Sequence, residues 1–422
     1  VNRLSLFQPG DEDWYRFEVL RGDDMEVSVA FADSIGNVDL QVVDDTQTLL
    51  GSSTTTTDDE LVVLTGLAAG TYYLRVFSPG GDPNVYDLAI EPAITSSTRV
   101  FYVNDATMTA GHYTLAPGSD ANDGLSATAP KASVQSVLAS YDVGPDDLIV
   151  IDTGTYNAGS AVKITAPDEG AAYAGTPSGS HFTYGGSRFE LEDADANLIY
   201  GLMFTGCCGT GIHSHEGIAD NSTDNIFRGN TFSGPSTGIL INQPDDDLIV
   251  DNTLTGVGTG VSLTNQGDAV IRGNEIAFAT IGVRLAGSLS APLIGTVVED
   301  KHFTPSQFGI HSNSYSTATI TNNELSDNDT GAFIDGPNTN VTGNDVHHND
   351  IGLSGGGTFG PTDWSPGQAN NIHDNLTGVL ADDAATIRFN RIHHNAIGIG
   401  VEHSAAVHHN LIYRNTGQGV LV

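Results

Sequence analysis

The segment Asn390-Arg391-Ile392-His393-His394-Asn395-Ala396-Ile397-Gly398-Ile399-Gly400-Val401 carries the pattern that decides the fold. The unit begins with Asn390 and has an apolar residue, Ile392, two places later. A second Asn follows at Asn395, and Gly398 then precedes alternating apolar residues. The leading Asn recurs at steps of 22, 22, 49, 21, 26, 20 and 20 residues, at Asn230, Asn252, Asn274, Asn323, Asn344, Asn370, Asn390 and Asn410. Such a period, built from short apolar strands without helical spacing, predicts a parallel β-helix whose coils stack about 4.8 Å apart.

Two other residue types recur within the unit. The second Asn appears at Asn328, Asn349, Asn375, Asn395 and Asn415, and stacked Asn side chains hydrogen bond along the coil axis and tolerate a left-handed turn. Histidines lie beside these positions, at His347, His348, His373, His393, His394, His408 and His409. We expect them to form one ladder on an edge of the coil. Stacked imidazoles could share a cation in pairs, but plain stacking at the turn is the favoured interpretation.

The composition limits the partners of the protein. The 422 residues include 52 Asp and Glu against 15 Lys and Arg, for a net charge of −37. Nucleic acids and anionic membranes are bound through clustered basic residues, so both are excluded as partners. No run reaches the roughly 18 apolar residues of a membrane span, so no membrane insertion is expected. The excess of Asp fits a protein in a saline, marine extracellular setting and makes Ca²⁺ the expected cofactor.

Residues 1–92 follow a different pattern from the repeats. Short alternating apolar runs separated by Gly, Asp and Pro predict a small antiparallel β-sandwich there. Three segments, residues 11–17, 36–40 and 70–76, together resemble the bacterial pre-peptidase C-terminal (PPC) domain. The resemblance covers about residues 4–91, and it implies a secreted accessory module rather than a reaction.

The rest of the chain completes an all-β fold, in which the sandwich is followed by a right-handed parallel β-helix (solenoid). We expect a linker at residues 93–99, an opening segment with a helical cap at 100–146, and the β-helix at 147–422, open at its C-terminal end. The helix of the cap is predicted over residues 131–141. Because the chain begins without Met and ends inside an apolar pattern, we expect it to be a piece of a larger polypeptide.

The repeats of residues 197–422 resemble those of secreted polysaccharide lyases, mannuronan epimerases and periplasmic NosD-type proteins, and of bacterial surface proteins without known activity. The resemblance implies a right-handed solenoid that most often handles carbohydrate. It is specific for the fold and not for one activity. The Asp-Pro-His motif of the epimerases is missing from the sequence.

A strip of polar residues is expected on the strand that follows each repeat Gly. Residues two and four places after that Gly should point outward, since side chains two apart share a face. Arg284, His311 and Asp335 then fall in three consecutive coils. A cation, a base and a carboxylate at that spacing could catalyse acid–base chemistry on a sugar. Polar outward residues are equally what any solvated β-helix shows.

Two longer segments, residues 287–308 and 355–368, are expected to leave the array after this strand and to wall the same face. The second carries Phe359 and Trp364, and Tyr315 lies close by in sequence. Aromatic rings stack on sugars, so these three residues are the predicted carbohydrate-binding side chains.

Four further groups are candidate sites. His213 and His215, followed by Glu216, could bind a divalent metal, and Asp245 and Asp247 could hold Ca²⁺. The turn at Asp382 and Asp383 is a similar Ca²⁺ candidate. The adjacent Cys207 and Cys208 could close a strained vicinal disulfide.

Two functions stay open at this point. One is a structural or adhesive component of the bacterial surface or matrix, in contact with carbohydrate and able to self-associate. The other is a carbohydrate-active enzyme, either a polysaccharide lyase, an epimerase or a glycoside hydrolase. The charge of −37 would repel an anionic glycan unless Ca²⁺ bridges the two.

Overall fold

The structure is a computed structural model of the chain, and it describes residues 4–7, 10–19, 23–32, 34–56, 58–92, 99–107, 111–156, 161–176, 179–183, 188–217, 222–299 and 302–422. The chain divides into two compact units, Val1–Arg99 and Val100–Val422. Residues 93–98 of the predicted linker lie outside the described residues.

The first unit contains two antiparallel four-stranded sheets. In spatial order, the first sheet contains β1 (Leu4–Leu6), β8 (Asn84–Pro92), β3 (Asp23–Ala30) and β6 (Glu60–Leu67). The second contains β2 (Glu12–Val19), β7 (Gly70–Phe77), β4 (Asp39–Asp44) and β5 (Leu49–Ser53). Val27 and Val29 of the first sheet and Leu40 and Leu74 of the second are buried in one apolar cluster. The predicted sandwich is confirmed.

The second unit is a parallel β-solenoid of three sheets, each sheet taking one strand from each turn of the chain. Sheet 1 contains, in chain order, β9 (Arg99–Val103), β10 (Asp147–Ile151), β13 (Ala172–Ala174), β16 (Leu198–Tyr200), β19 (Ile226–Arg228), β22 (Asp247–Val250), β25 (Ala269–Arg272), β28 (Leu293–Glu299), β31 (Ser316–Thr321), β34 (Asn340–Thr342), β37 (Thr358–Phe359), β40 (Thr386–Arg388) and β43 (Ala406–His408).

Sheets 2 and 3 have twelve strands each, so the solenoid makes about twelve turns. Sheet 2 contains β11 (Gly154–Tyr156), β14 (Ser180–Thr183), β17 (Leu202–Thr205), β20 (Thr231–Ser233), β23 (Thr253–Thr255), β26 (Glu275–Ala277), β29 (His302–Thr304), β32 (Glu324–Ser326), β35 (Asp345–His347), β38 (Asn371–His373), β41 (Arg391–His393) and β44 (Leu411–Tyr413). Sheet 3 contains β12 (Val162–Thr165), β15 (Phe189–Glu192), β18 (Thr210–His215), β21 (Thr237–Asn242), β24 (Thr259–Thr264), β27 (Ile281–Ala286), β30 (Phe308–Ser312), β33 (Thr330–Ile334), β36 (Ile351–Gly355), β39 (Thr377–Ala381), β42 (Ile397–Val401) and β45 (Val420–Leu421). The predicted all-β class and parallel solenoid are confirmed.

A short helix, α1 (Val134–Leu138), packs its apolar side on the solenoid core. Val134 and Val137 are buried in the same cluster as Phe101, as expected of a cap. A 3₁₀ turn at Ala166–Asp168 is the other short helical element. In the described part of the chain, no helix has the length and hydropathy needed to cross a bilayer.

Close packing explains the repeat Gly near the start of each sheet 3 strand. A Cβ atom added to Gly282 would lie 2.4 Å from the carbonyl oxygen of Gly309 on the next turn and 2.6 Å from a ring carbon of Phe303. Both contacts are shorter than van der Waals distance, so a side chain there would push the turns apart.

The predicted Asn ladders are present inside the turns. Asn252 donates from its backbone N–H to Oδ1 of Asn274 (3.0 Å) and from Nδ2 to the carbonyl oxygen of Phe227 (2.8 Å). The second ladder repeats this contact, since the N–H of Asn349 donates to Oδ1 of Asn375 (3.0 Å). Buried polar groups cost free energy when unpaired, so the ladders satisfy backbone groups that the corners would leave without partners.

The two long steps of the repeat have different causes. The 49-residue step contains a complete turn made of β28, β29 and β30. The 26-residue step contains β37, and its extra residues, 360–370, follow sheet 1 rather than sheet 3. The expectation that both segments leave the array and wall the sheet 3 face is therefore wrong, because the first segment supplies β28, β29 and the start of β30 and the second follows sheet 1.

Candidate functional site

The outer face of sheet 3 carries the predicted strip. Arg284 of β27 pairs with His311 of β30, and His311 pairs with Phe333 of β33. Val283 and Leu285, on either side of Arg284, are buried, whereas Arg284 is exposed. The strands therefore alternate between the core and solvent as expected, and they stack these outward residues on successive turns.

An aromatic cluster lies at the centre of this strip. The His311 ring centroid is 5.6 Å from that of Phe308 and 5.3 Å from that of Phe333, and the two Phe rings are 6.0 Å apart. All three side chains are half-buried. We call Phe308, His311 and Phe333 the aromatic patch.

Phe308 was missed by the sequence analysis because strict alternation fails at the repeat Gly. Gly309 and Ile310 are both buried, so the residues that point outward are 308 and 311 rather than 309 and 311. The β27–β30 register is uniform and places Ile281 beside Phe308 and Val283 beside Ile310. An aromatic residue directly before the repeat Gly is the signal that could have identified it.

Charges flank the patch. Asp335 directly follows β33, is exposed, and donates its backbone N–H to the carbonyl oxygen of Ser312 (2.8 Å). Burial lowers the pKa of His311, the Arg284 guanidinium lowers it further, and the carboxylate of Asp335 opposes both. The three predicted residues therefore meet around His311, although Phe333, and not Asp335, is its paired neighbour.

The face around the patch is open. Turns of three residues precede β27, β30, β33, β36 and β39, and turns of two to six residues follow them. Turns this short build no wall of the kind that the enzyme hypothesis requires.

The structure places the three predicted sugar-stacking residues in three different environments. Phe359 is fully buried in β37, so its prediction as a binding surface is wrong. Trp364 is 47% exposed, and the Arg391 guanidinium of sheet 2 lies 5.7 Å from its ring centroid, so it belongs to another side of the coil. Tyr315 is 44% exposed in the turn after β30.

The two predicted pairs of metal ligands lie in different surroundings. The rings of His213 and His215 are 4.5 Å apart, and burial, followed by the charge of His215, lowers the pKa of His213. Asp247 is buried, accepts hydrogen bonds from the N–H groups of Asn225 (3.0 Å) and Asp245 (3.3 Å), and has a pKa raised well above its usual value by burial. Its carboxylate occupies a ladder position, so its prediction as a surface Ca²⁺ ligand with Asp245 is wrong.

Among the described residues, one group of three potential ligand side chains comes together, formed by Asp382, Asp383 and His403. All three are exposed, and His403 Nδ1 is 2.8 Å from Asp382 Oδ1. The Asp382–Asp383 turn was a predicted Ca²⁺ candidate, and Ca²⁺ as a cofactor stays a prediction.

Cys207 and Cys208 are both exposed and free, so the predicted vicinal disulfide is not formed in the structure. Their turn is held instead by the buried Arg188, which donates to the carbonyl oxygens of Cys208 and Thr205 at 3.2 Å each. Cys208 adopts a positive φ of 67°.

The seven histidines expected on one edge occupy two corners. His347, His348, His373, His393 and His394 lie where sheet 2 turns into sheet 3, whereas His408 and His409 lie where sheet 1 turns into sheet 2. The rings of His347, His373 and His393 stack at 5.1 and 5.2 Å.

Two family models match the chain. Residues 178–294 and 202–375 match the family described as periplasmic copper-binding protein (NosD), and residues 11–78 match the bacterial pre-peptidase C-terminal domain. Both predicted resemblances are thereby confirmed. The match to the NosD family ends at residue 375. No curated protein sequence matches the chain significantly.

Solved structures are similar to the chain at low identity. The catalytic unit of a GH87 α-1,3-glucanase from Streptomyces thermodiastaticus is 13% identical, with 93% of this chain and 82% of that chain covered and a TM-score of 0.39. An alginate lyase from Paenibacillus is 15% identical, with coverages of 68% and 96% and a TM-score of 0.39. The pre-peptidase C-terminal domain of a Bacillus anthracis collagenase is 20% identical, with coverages of 21% and 90% and a TM-score of 0.18.

Proposed function

We propose that the chain is an exported, surface-associated β-solenoid that binds a neutral polysaccharide along the outer face of sheet 3. The observation that carries this proposal is the aromatic patch, in which three half-buried rings stand together on two neighbouring turns. Aromatic faces of this kind stack on the C–H faces of sugar rings, and the open face admits a long chain rather than a small molecule.

The flanking charges supply the polar part of a sugar site. The Arg284 guanidinium can donate to ring and hydroxyl oxygens, and the exposed carboxylate of Asp335 can accept from hydroxyl groups. Stacking contributes affinity and these hydrogen bonds fix the orientation of the sugar, which is the usual division in carbohydrate recognition.

Charge selects the class of glycan. The protein carries a net charge of −37, and among the described residues the charges that act on His311 are those of Arg284 and Asp335. A uronate polymer would be repelled unless a cation bridged it, whereas a neutral polysaccharide meets no such barrier.

The location of the protein is part of the same proposal. The match to the PPC domain and the match to a periplasmic family both support export. We also propose that the protein has a structural or adhesive role in the surface matrix and that it self-associates there. The proposed habitat is saline.

Affinity electrophoresis tests the proposed function. Wild type is run through gels containing neutral polysaccharides (a β-glucan, a xyloglucan and a galactomannan) or acidic ones (alginate and pectate), with and without millimolar Ca²⁺. We expect retardation by a neutral polymer, weakened about tenfold in Phe308→Ala/Phe333→Ala, because each stacking contact contributes roughly 0.5–1.5 kcal/mol.

The matched control is Phe389→Ala, which removes the same ring at the corner of sheets 1 and 2. Equal retardation of the double variant and the control would overturn the proposal. Migration of wild type unaffected by every neutral polymer would do the same.

Acid–base catalysis at the strip is a second candidate, favoured by the lowered pKa of His311 between Arg284 and Asp335. A neutral imidazole at pH 7 can accept a proton from a sugar carbon or hydroxyl group. We expect any cleavage of a retained polymer, measured as new reducing ends, to fall at least about 100-fold in His311→Ala, whereas retention should weaken only by about the few-fold that the loss of one stacking ring costs. Cleavage that survives the substitution would remove this candidate and leave the binding proposal untouched.

A further inference from the structure

A second group of polar side chains lies on the outer face of sheet 3, four turns before His311. His213 and His215 of β18 are half-buried, and their ring centroids are 4.5 Å apart. Asn242 of β21 and Thr264 of β24, also half-buried, continue the group on the next two turns. We call these four residues, from His213 to Thr264, the polar anchor.

Hydrogen bonds within the anchor assign the proton of His213. Thr264 Oγ1 donates to Oδ1 of Asn242, and Nδ2 of Asn242 lies 3.2 Å from Nε2 of His213. An amide nitrogen can only donate, so this Nε2 accepts and the neutral ring carries its hydrogen on Nδ1. Within the described part of the chain, no group accepts that Nδ1–H, so it can donate to a ligand. Burial and then the charge of His215 lower the pKa of His213, against the charge of Glu190, which favours the neutral ring.

His215 is held in the opposite tautomer. Its Nδ1 lies 2.9 Å from the backbone carbonyl oxygen of Glu216, which can only accept, so the neutral ring carries its hydrogen on Nδ1 and a lone pair on Nε2. Among the residues that the structure describes, none donates to this Nε2. The two neighbouring rings therefore offer one donor and one acceptor on the same face of the sheet.

One donor beside one acceptor matches the hydroxyl groups of a sugar. A hydroxyl group both donates and accepts, so two of them on neighbouring carbons can bond to both rings at once. The carboxylate of a uronate only accepts, and it would leave the lone pair of His215 without a partner. A metal ion would need a lone pair from each ring, and that of His213 faces Asn242.

The turn before the anchor adds negative charge. Glu190 and Glu192 of β15 pair with the two histidines of the anchor. Lys163 Nζ lies 3.5 Å from the first carboxylate and 3.8 Å from the second. One ammonium group shared by two carboxylates leaves this end of the face with an excess of negative charge, which opposes an anionic polymer and not a neutral one.

The anchor and the aromatic patch lie on one continuous face. In unbroken register, the outward residues on successive turns are His213, Leu240, Ser262, Arg284 and His311. Four turns separate the first from the last, a distance of about 19 Å at about 4.8 Å per turn. Because one sugar of an extended polysaccharide is about as long as one turn, a chain of about five or six sugars reaches both places.

We propose that the polar anchor is a second subsite for the same polysaccharide, which runs along the solenoid axis from the aromatic patch and places hydroxyl groups of one sugar on His213 and His215. This inference rests on the proposed function, because it takes the aromatic patch as the first contact. It specifies a neutral ligand of at least about five or six sugars, longer than the patch alone requires.

The affinity of oligosaccharides of different lengths tests the inference. Trisaccharide and octasaccharide fragments of the three neutral polymers (the β-glucan, the xyloglucan and the galactomannan) are titrated into the full chain by isothermal titration calorimetry. We expect wild type to bind an octasaccharide at least about tenfold more tightly than the trisaccharide, because the longer chain alone reaches the anchor and forms its hydrogen bonds.

The anchor variant is His213→Leu/His215→Leu. It should bind the octasaccharide about tenfold more weakly than wild type does, because the donor and the acceptor are both lost. Its affinity for the trisaccharide should equal that of wild type, which shows that sheet 3 and the aromatic patch are still folded. The matched control, His347→Leu/His373→Leu, removes two stacked imidazoles from the outer face of sheet 2 and should keep both affinities.

The outcomes separate this inference from the proposed function. An anchor variant that binds the octasaccharide as tightly as wild type, or a control that loses as much affinity as the anchor variant, would overturn the second subsite and leave binding at the patch intact. Failure of every neutral fragment to bind wild type would overturn the proposed function and the subsite together.

Discussion

The corner between sheets 2 and 3 has an inner and an outer ladder, built a few residues apart on the same turns. On the inner side, Asn375 uses its whole amide, because Nδ2 donates to the carbonyl oxygen of Val346 (3.0 Å) and Oδ1 accepts the N–H of Asn349 (3.0 Å). On the outer side, the imidazoles stack at 5.1 and 5.2 Å, and their ring nitrogens contact side chains at the solvent boundary, such as Asp345 and Asn371. The inner ladder pairs buried backbone groups that water cannot reach, whereas water could replace the partners of the outer ladder, so the two should contribute differently to stability.

The largest effect is expected on the inner side. Asn375→Ala would leave the buried N–H of Asn349 and the carbonyl oxygen of Val346 without this partner, and each such group costs about 1–3 kcal/mol. We expect the free energy of unfolding to fall by about 3–5 kcal/mol, measured by urea denaturation followed by circular dichroism.

The outer-side control is His348→Asn, which changes an exposed ring. We expect a loss of less than about 1 kcal/mol there, as for most surface substitutions. Equal losses of unfolding free energy in the two variants would contradict the proposed difference between the inner and outer ladders.

Asp247 offers a further test of the inner contacts, because it places a carboxylate at a ladder position where the preceding turn has the amide of Asn225. Burial raises its pKa, so its contribution to stability is present below the unfolded pKa near 3.9 and is lost as the pH rises through the folded pKa. Asp247→Asn should therefore stabilise the protein at pH 7 by on the order of 1 kcal/mol and leave it little changed at pH 3. Denaturation at both pH values measures this, and a variant less stable than wild type at pH 7 would contradict it.

The smallest effect is expected for the exposed pair His403–Asp382. His403→Ala should change the free energy of unfolding by less than about 0.5 kcal/mol, because solvent screens an ion pair in which both side chains are more than half exposed. Thermal unfolding at low and high salt checks this, and a loss above 1 kcal/mol would show that exposed corner pairs also stabilise the fold.

The fold could be predicted from the sequence because two backbone requirements repeat with it. Asn is needed where a corner leaves buried groups to pair, and Gly is needed where successive turns approach too closely for a Cβ, as Gly282 shows. Both requirements act locally, so their spacing reports the length of each turn. Arg284 and His311 could be placed together for the same reason.

The positions that the sequence did not predict depend on features that the repeat spacing does not show. Phe359 lies in a two-residue strand framed by glycines, which resembles a loop in sequence, so its burial was missed. Asp247 looked like one of three surface carboxylates because a ladder position usually holds Asn. His408 and His409 repeat the His-His-Asn motif at a different corner, since the first Asn ladder carries the same motif as the second.

Hydroxyl-radical footprinting with the retained neutral polysaccharide tests the central proposal most directly. Mass spectrometry measures the oxidation of Phe308 and Phe333 relative to Phe389, with and without the polymer. We predict that the polysaccharide protects Phe308 and Phe333 and leaves Phe389 unchanged. Equal oxidation of the patch in the presence and absence of a polymer that retards the protein would contradict binding along sheet 3.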